Sequence, residues 1–350
     1  MFELTFLRWV GIVVGLLALW HVIARLRVHA SKRGGLFALL VFGLSLLLIG
    51  AFPDLANLPA QLLQLRDVPG GRVTTLLLLS TLIAWPLILR ERGKLVSLKL
   101  AFEQSIRRQA QQKFEQTYAD ELAEGAVWIL IPVLDEAENL KVLIPKIPRT
   151  LLGRPVEVIV ISDGSTDDSE AVAVRAGARV LSLPINRGGG AALKTGFELA
   201  PAHGAVAVVT MDGDGQHNPS ELPPLVEPIL EDQADVVIGS RLLGTAESAS
   251  RMRAVGVHVF NWLINALMST KISDCSSGFR AIRTSTLARL QLTQEQYHTA
   301  ELIIDAAKRG FRLLDAPITI SRRHSGKSRK GKDLIYGLYF LRTIIKTWLR

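Results

Sequence analysis

At 350 residues the chain has room for about two domains, and its single cysteine, Cys275, excludes both a disulfide framework and a cysteine-based zinc site. Its formal net charge of +9 points to an anionic partner. No nucleic-acid-binding motif accompanies that charge, which sets nucleic acid aside in favour of anionic lipid or a phosphorylated substrate.

Apolar residues make up 49% of the chain, and the excess lies before residue 90. Three runs stand out: Trp9–Ala24, Leu36–Phe52 and Val73–Leu89. Each is close to the ~17–25 residues that cross a bilayer as a helix. One such run alone reads as a buried core helix, and the first competes with a signal peptide. Three in succession, joined by short charged connections, predict a three-helix transmembrane domain over 1–92. Arg25, Arg27, Lys32 and Arg33 lie between the first two runs, and Arg90, Arg92, Lys94 and Lys99 follow the third. The middle loop has only Arg66 and Arg72, offset by Asp54 and Asp67. The positive-inside rule then puts the N-terminus outside and the residues after 90 on the cytoplasmic face. Leu95, Leu98, Phe102, Ile106, Phe114, Tyr118 and Leu122 recur at near-helical intervals. They predict an amphipathic connector helix over 93–125, stopped by Gly125, lying on the membrane or against the next domain. A short self-associating coil, and with it a homo-oligomer, is left open.

From 126 to 332 short apolar runs alternate with helix-compatible stretches: Val127–Ile131, Val156–Ile161, a weaker Arg179–Leu183, Ala205–Thr210 and Asp235–Ile238. The alternation predicts an α/β domain, a parallel sheet with helices on both faces, with ligands outside the carboxyl ends of its strands. Each polar cluster falls at such an end. Pro132 closes the first strand, and Leu134, Asp135 and Glu136 lead into a helix. Asp163-Gly164 ends the second; it is an ordinary turn by default and a nucleobase contact if its carboxylate meets a ring N–H. Three glycines, Gly188 to Gly190, precede a helix and would let backbone N–H groups approach an anion, yet they match neither a P-loop nor a dinucleotide fingerprint. Asp212-Gly213-Asp214-Gly215-Gln216 follows the fourth main strand. On an extended chain Asp212, Asp214 and Gln216 point the same way and offer oxygen ligands to Mg²⁺ or Mn²⁺, with the glycines leaving space for a diphosphate. Beyond the domain, Arg342, Lys346 and Arg350 recur beside Leu334, Ile335, Leu338, Ile345 and Leu349. The 333–350 segment reads as an amphipathic helix, either on the membrane surface or packed with a basic edge.

Taken together, these stretches resemble family 2 glycosyltransferases of the dolichyl- or polyprenyl-phosphate sugar synthase type over about residues 126–330. The matching segments are Ile131-Pro132 through Asn139, Ser162 to Ser165, Asn186 to Gly196, Asp212 to Gln216, Gly239-Ser240-Arg241, Asp274 to Arg280 and Arg322 to Lys330. The resemblance implies a GT-A-type nucleotide-binding sheet flanked by helices and preceded by three transmembrane helices. It implies inverting transfer of a hexose from a cytoplasmic UDP- or GDP-sugar to a polyprenyl or dolichyl phosphate, beside membrane lipids. Pro132, Leu134, Glu136, Asp163, Gly188, Asp212, Arg241 and Arg253 are then expected at the donor, and Asp212, Asp214 and Gln216 at the metal. Asp214, Asp274 and Glu301 are expected in catalysis, with Asp274 orienting groups rather than abstracting a proton. Arg280, Arg322, Arg323, Lys327 and Lys330 are expected at the acceptor phosphate and closing loop. The chain departs from the pattern at Ser162, where Asp is usual, at Asp135 for Asn and at Gly189 for Lys, with Lys194 a candidate replacement charge. A polysaccharide synthase would carry Gln-x-x-Arg-Trp, which is absent. Another lipid or glycan acceptor and a non-catalytic nucleotide-sugar sensor or scaffold are the alternatives; intact Asp212, Asp214 and Arg241 weigh against the sensor.

Overall fold

The apolar runs before residue 90 all fold as helix. In the computed structural model, which describes residues 6–26, 33–65, 69, 71–246, 251–294, 297–323, 325 and 333–350, they lie in α1 (Phe6–Leu26), α2 (Arg33–Ala51) and the first part of α4 (Gly71–Tyr118), with the short α3 (Asn57–Leu62) between. Two compact units result, Met1–Phe102 and Glu103–Arg350. In the first, α1 and α2 meet at glycines. A Cβ on Gly15 would stand 2.9 Å from the Gly43 carbonyl oxygen, the close approach that small residues permit between apolar helices. Bulky apolar groups face outward instead; Trp20 and Leu82 are each 69% exposed. Among the described residues one helix, α4, is long and apolar enough to cross a membrane, whereas the apolar cores of α1 and α2 are shorter, Trp9–Val22 and Leu40–Ile49.

The predicted break between third span and connector is absent, because α4 continues as helix through Pro86. Its surroundings change near Phe102. Leu95, Val96, Leu98, Leu100 and Phe102 are exposed, while Glu103, Ile106, Ala110 and Phe114 are buried in the second unit. The connector therefore docks on the following domain from residue 103 onward.

The second unit is built on an eight-stranded sheet. Its strands are β1 (Val127–Val133), β2 (Thr150–Leu151), β3 (Arg154–Asp163), β4 (Arg179–Leu183), β5 (Ala207–Thr210), β6 (Val236–Ala246), β7 (Arg280–Arg283) and β8 (Leu313–Ile320). The main order is β4-β3-β1-β5-β7-β6-β8, and β2 pairs with the start of β3. The predicted sheet is all parallel; the observed one is mixed, because β7 enters antiparallel between β5 and β6. Reversal of β7 carries the loop before it, residues 274–278, to the carboxyl edge of its neighbours.

Both faces are covered, so strand residues of either parity are buried. Trp128 and Leu130 of β1 face a layer containing α4, α7 (Gly189–Leu199), α9 (Arg251–Met268), α11 (His298–Lys308) and α12 (Asp333–Leu349). Val127, Ile129 and Ile131 face α5 (Ala137–Leu143), α6 (Ser169–Arg175) and α8 (Leu222–Leu230). The one-turn α10 (Thr284–Leu287) follows β7. The C-terminal helix packs: Phe340, Thr343, Ile344 and Thr347 are buried. Leu338, Ile345 and Leu349 point outward.

Candidate active site

The carboxyl edge gathers the polar clusters, and most of their side chains already hold one another. Asp163 is buried at the end of β3; its Oδ1 accepts the Arg187 N–H at 2.9 Å and its Oδ2 that of Gly188 at 2.6 Å. The carboxylate thus fixes the glycine-rich loop at the start of α7, with the positive end of that helix at the sheet edge. Gly164 has φ +73°, and a Cβ there would stand 2.7 Å from the Asn186 nitrogen, so only glycine allows this approach. Asp135 also lies in the left-handed region, at φ 54°, which Asn and Asp tolerate better than most residues. Its Oδ1 accepts the Thr166 N–H at 2.7 Å. Lys194, the candidate replacement charge, lies on α7 beside charges from α4 and α11. Burial and the neighbouring Arg107 of α4 push its ammonium down, opposed by Glu198, Glu301 and Glu103.

Residues 212–216 form a turn rather than an extension of β5, so the alternation argument for three aligned ligands does not apply. Asp214 Oδ1 accepts the Gln216 N–H at 3.1 Å, closing an Asx-type turn. Gln216 turns its amide to the Ser321 carbonyl at 3.0 Å, and the Ser321 N–H returns to the Gln216 carbonyl at 2.9 Å. Gly213 serves packing, not ligand space: a Cβ there would stand 2.6 Å from Val133 Cγ1. Asp212 is different, with its side chain 47% exposed. A Cβ on Gly278 would come within 2.9 Å of its Oδ1, so that glycine makes the cradle for the carboxylate.

His217, which the sequence reading passed over, is buried against Phe279 with ring centroids 4.8 Å apart and has Nε2 3.6 Å from Asp212 Oδ2. Its place directly after the acidic run was the available signal. The basic stretch after β8 returns over this edge. Arg323 Nη2 donates to Asp214 Oδ2 at 2.8 Å and Nη1 to Glu136 Oε1 at 3.3 Å. Ser325 donates from N and Oγ to Asn139 Oδ1, both at 3.1 Å. Pro132 and Leu134 are half-buried on either side of the β1 end, and Arg322 is exposed. Lys327 and Lys330 lie outside the described residues, as does the side chain of Arg253.

A second cluster adjoins the first. Arg241 grips the fully buried Asp274 with Nε to Oδ2 at 2.7 Å and an Nη2 to Oδ1 contact at 3.1 Å, and also donates to Ser276. Burial raises the Asp274 carboxyl, but the Arg241 hydrogen bonds and charge outweigh it and hold the group below the usual carboxylate range. Asp274 is therefore a positioning residue for Arg241. Asn261 of α9 in turn accepts the Cys275 N–H at 2.8 Å and donates to the Ser273 carbonyl.

Two expected site residues fall elsewhere. Arg280 is buried in β7, where its amino groups donate to the Thr299 and Cys275 carbonyls at 2.5 and 2.9 Å, and desolvation lowers it to about 10. Both of its amino groups are committed to backbone carbonyls within the fold. Glu301 is fully buried on α11; its oxygens accept the Thr293 and Gln294 N–H groups and the Arg350 guanidinium at 3.0 Å. It fastens a loop and the chain end.

A family model described as glycosyl transferase family 2 matches residues 128–290. The polyprenol monophosphomannose synthase of Mycolicibacterium smegmatis is 30% identical over 213 residues, covering 57% of this chain and 79% of that protein. The dolichyl-phosphate hexose transferase of Haloferax volcanii is 31% identical over 195 residues, covering 56% and 82%. The chain belongs to glycosyl transferase family 2. Its fold is like that of glucosyl-3-phosphoglycerate synthase from Mycobacterium tuberculosis, solved with Mn²⁺ and UDP: TM-score 0.52 and 23% identity over 63% of this chain and 79% of that one. The GT-A-like mixed sheet is thus shared.

In this family 2 glycosyltransferase two cavities flank Arg323. One, of about 340 Å³, is lined by Asp135, Glu136, Asp167 and Arg175; the other, of about 510 Å³, by Asn139, Lys146, Gly215, His217 and Arg322. Among the described residues no group of three or more His, Cys, Asp or Glu side chains could hold a metal ion. Asp212 and Asp214 bring two carboxylates to one turn, and oxygen donors of this kind are what hard cations take together with phosphate and water.

Proposed function

We propose that this glycosyltransferase moves a hexose from a UDP- or GDP-sugar to a polyprenyl or dolichyl phosphate at a membrane surface. The observation that carries the reading is the single sheet edge shared by the Asp163-held glycine loop, Asp212, Asp214 and the Arg241–Asp274 pair. Relatives named for polyprenol and dolichyl phosphate support the acceptor class. Asp212 and Asp214 would hold Mg²⁺ or Mn²⁺, which when bound neutralises charge growing on the leaving diphosphate. Arg241, oriented by Asp274, faces the same charge with a guanidinium suited to phosphate oxygens. A phosphate acceptor is already ionised near neutral pH and needs little general-base help. Leu134, Glu136 and Asp163 surround the place for the nucleobase and ribose, and Arg322 with Arg323 the place for the acceptor phosphate.

The outward apolar surface of residues 1–102 supports membrane insertion, with α4 as the best-formed span. Clusters of Arg and Lys after residues 24 and 89 support an outside N-terminus and a cytoplasmic catalytic domain. On this reading the compact unit Met1–Phe102 is the membrane part and Glu103–Arg350 the transferase with its C-terminal helix. The test is transfer of label from a panel of radioactive UDP- and GDP-sugars to polyprenyl phosphate by the full-length protein. One or two donors should label the lipid in a Mg²⁺- or Mn²⁺-dependent way. Nucleotide binding without transfer from any donor would sink the reading in favour of a sensor.

A further inference from the structure

We propose that Arg323 is a built-in counter-ion for Asp214 that must leave before a divalent ion binds, so that Arg323 and metal compete for one carboxylate. The inference rests on the metal reading above.

The Asp214 side chain is only 10% exposed, with Oδ1 engaged by the Gln216 N–H and Oδ2 by Arg323 at 2.8 Å. A magnesium ion binds a carboxylate oxygen at about 2.1 Å and demands an octahedral shell around itself. A guanidinium on the same oxygen takes a lone pair that the ion would use and repels a second cation beside it, so the two compete for the carboxylate. Nor is Arg323 a wandering surface side chain. Ser321 is tied to Gln216 on one side of it, and Ser325 to Asn139 on the other. Its second amino group holds Glu136, so one guanidinium neutralises two acids from two strand ends.

The arrangement has a purpose in the order of binding. In the absence of metal, Arg323 balances Asp214 and Glu136 and keeps the turn formed. When metal arrives with the donor diphosphate, Asp214 exchanges one cation for another. Arg323 lines both cavities, so a guanidinium freed from Asp214 would be within reach of phosphate oxygens bound in either. Metal and nucleotide should then bind with positive coupling.

The test is Mn²⁺ binding, followed by electron paramagnetic resonance on purified full-length protein without nucleotide. Thermal unfolding checks that each variant is folded. If Arg323 occupies Asp214 about nine-tenths of the time, Arg323→Gln should bind Mn²⁺ about tenfold more tightly than the natural protein. Arg323→Lys, which cannot bridge both acids, should fall between the two. Asp214→Asn should lose the binding. Equal or weaker Mn²⁺ affinity in both Arg323 variants, with binding still lost in Asp214→Asn, would overturn the competition and leave the metal site standing. Unchanged Mn²⁺ binding in Asp214→Asn would overturn the metal site itself, and the competition with it.

Discussion

Asp274 has no exposed surface and two hydrogen bonds from one guanidinium, so removing its charge leaves Arg241 half-buried against a neutral amide. Breaking such a pair costs roughly 3–5 kcal/mol when the remaining charge is buried, and less here in proportion to Arg241's access to water. Asp274→Asn should therefore lower the unfolding temperature at neutral pH and abolish most transfer. The folded carboxyl lies below its unfolded value near 3.9, so its stabilisation is present above that pH and is lost as pH falls through the depressed value. Thermal unfolding from pH 7 to pH 3 should show the gap between variant and natural protein closing below about pH 4. Glu301 gives the opposite expectation. Glu301→Gln should cost about 1–3 kcal/mol, from its lost charge-assisted hydrogen bonds, and leave the transfer rate per folded molecule unchanged. A collapse of rate without loss of stability would return Glu301 to the catalytic group. The acidic run after β5 was legible as a site from residue type and strand-end position. The partners were not: Arg323 and Asp214 are 109 residues apart and Arg241 and Asp274 are 33 apart. Only the fold brings such pairs together.

The strands differ in how plainly they are written. β1, β3, β5 and the start of β6 are buried on both faces and so appear as apolar runs; even the weaker β4 falls on Arg179–Leu183 as read. β7 is four residues with arginine at each end, and β8 breaks its pattern with Asp315 and Pro317. Neither has an apolar run to announce it. Arg280, expected on the acceptor side, opens β7 and is buried there. The glycines separate turn packing from ligand space. Gly213→Ala would push a Cβ into Val133 and should cost about 1–3 kcal/mol, measured by thermal unfolding. Gly278→Ala meets the Asp212 carboxylate instead. It should raise the KM for donor and the Mn²⁺ requirement with little change in stability. If both variants behave alike, Gly278 is not a cradle.

The three apolar runs before residue 90 all fold as helix, while the limit expected at residue 92 falls inside α4, because a loss of apolar character is not a loss of helix. Helix continuity depends on backbone hydrogen bonds, which polar residues of good propensity sustain as well as apolar ones. The outward-facing Trp20, Leu82 and Trp85 would be a severe aggregation liability in water. The full chain should accordingly stay with membranes after carbonate washing and be released only by detergent. Release by carbonate alone would remove the integral-membrane reading. The catalytic reading is tested most directly by its acceptor. Membranes containing the full-length protein, supplied with the best radiolabelled nucleotide-sugar and Mn²⁺, should label polyprenyl phosphate and leave polyprenol unlabelled. The same membranes with Asp214→Asn should label neither. Equal labelling of polyprenol, or undiminished transfer by Asp214→Asn, would contradict a metal-assisted transfer to lipid phosphate.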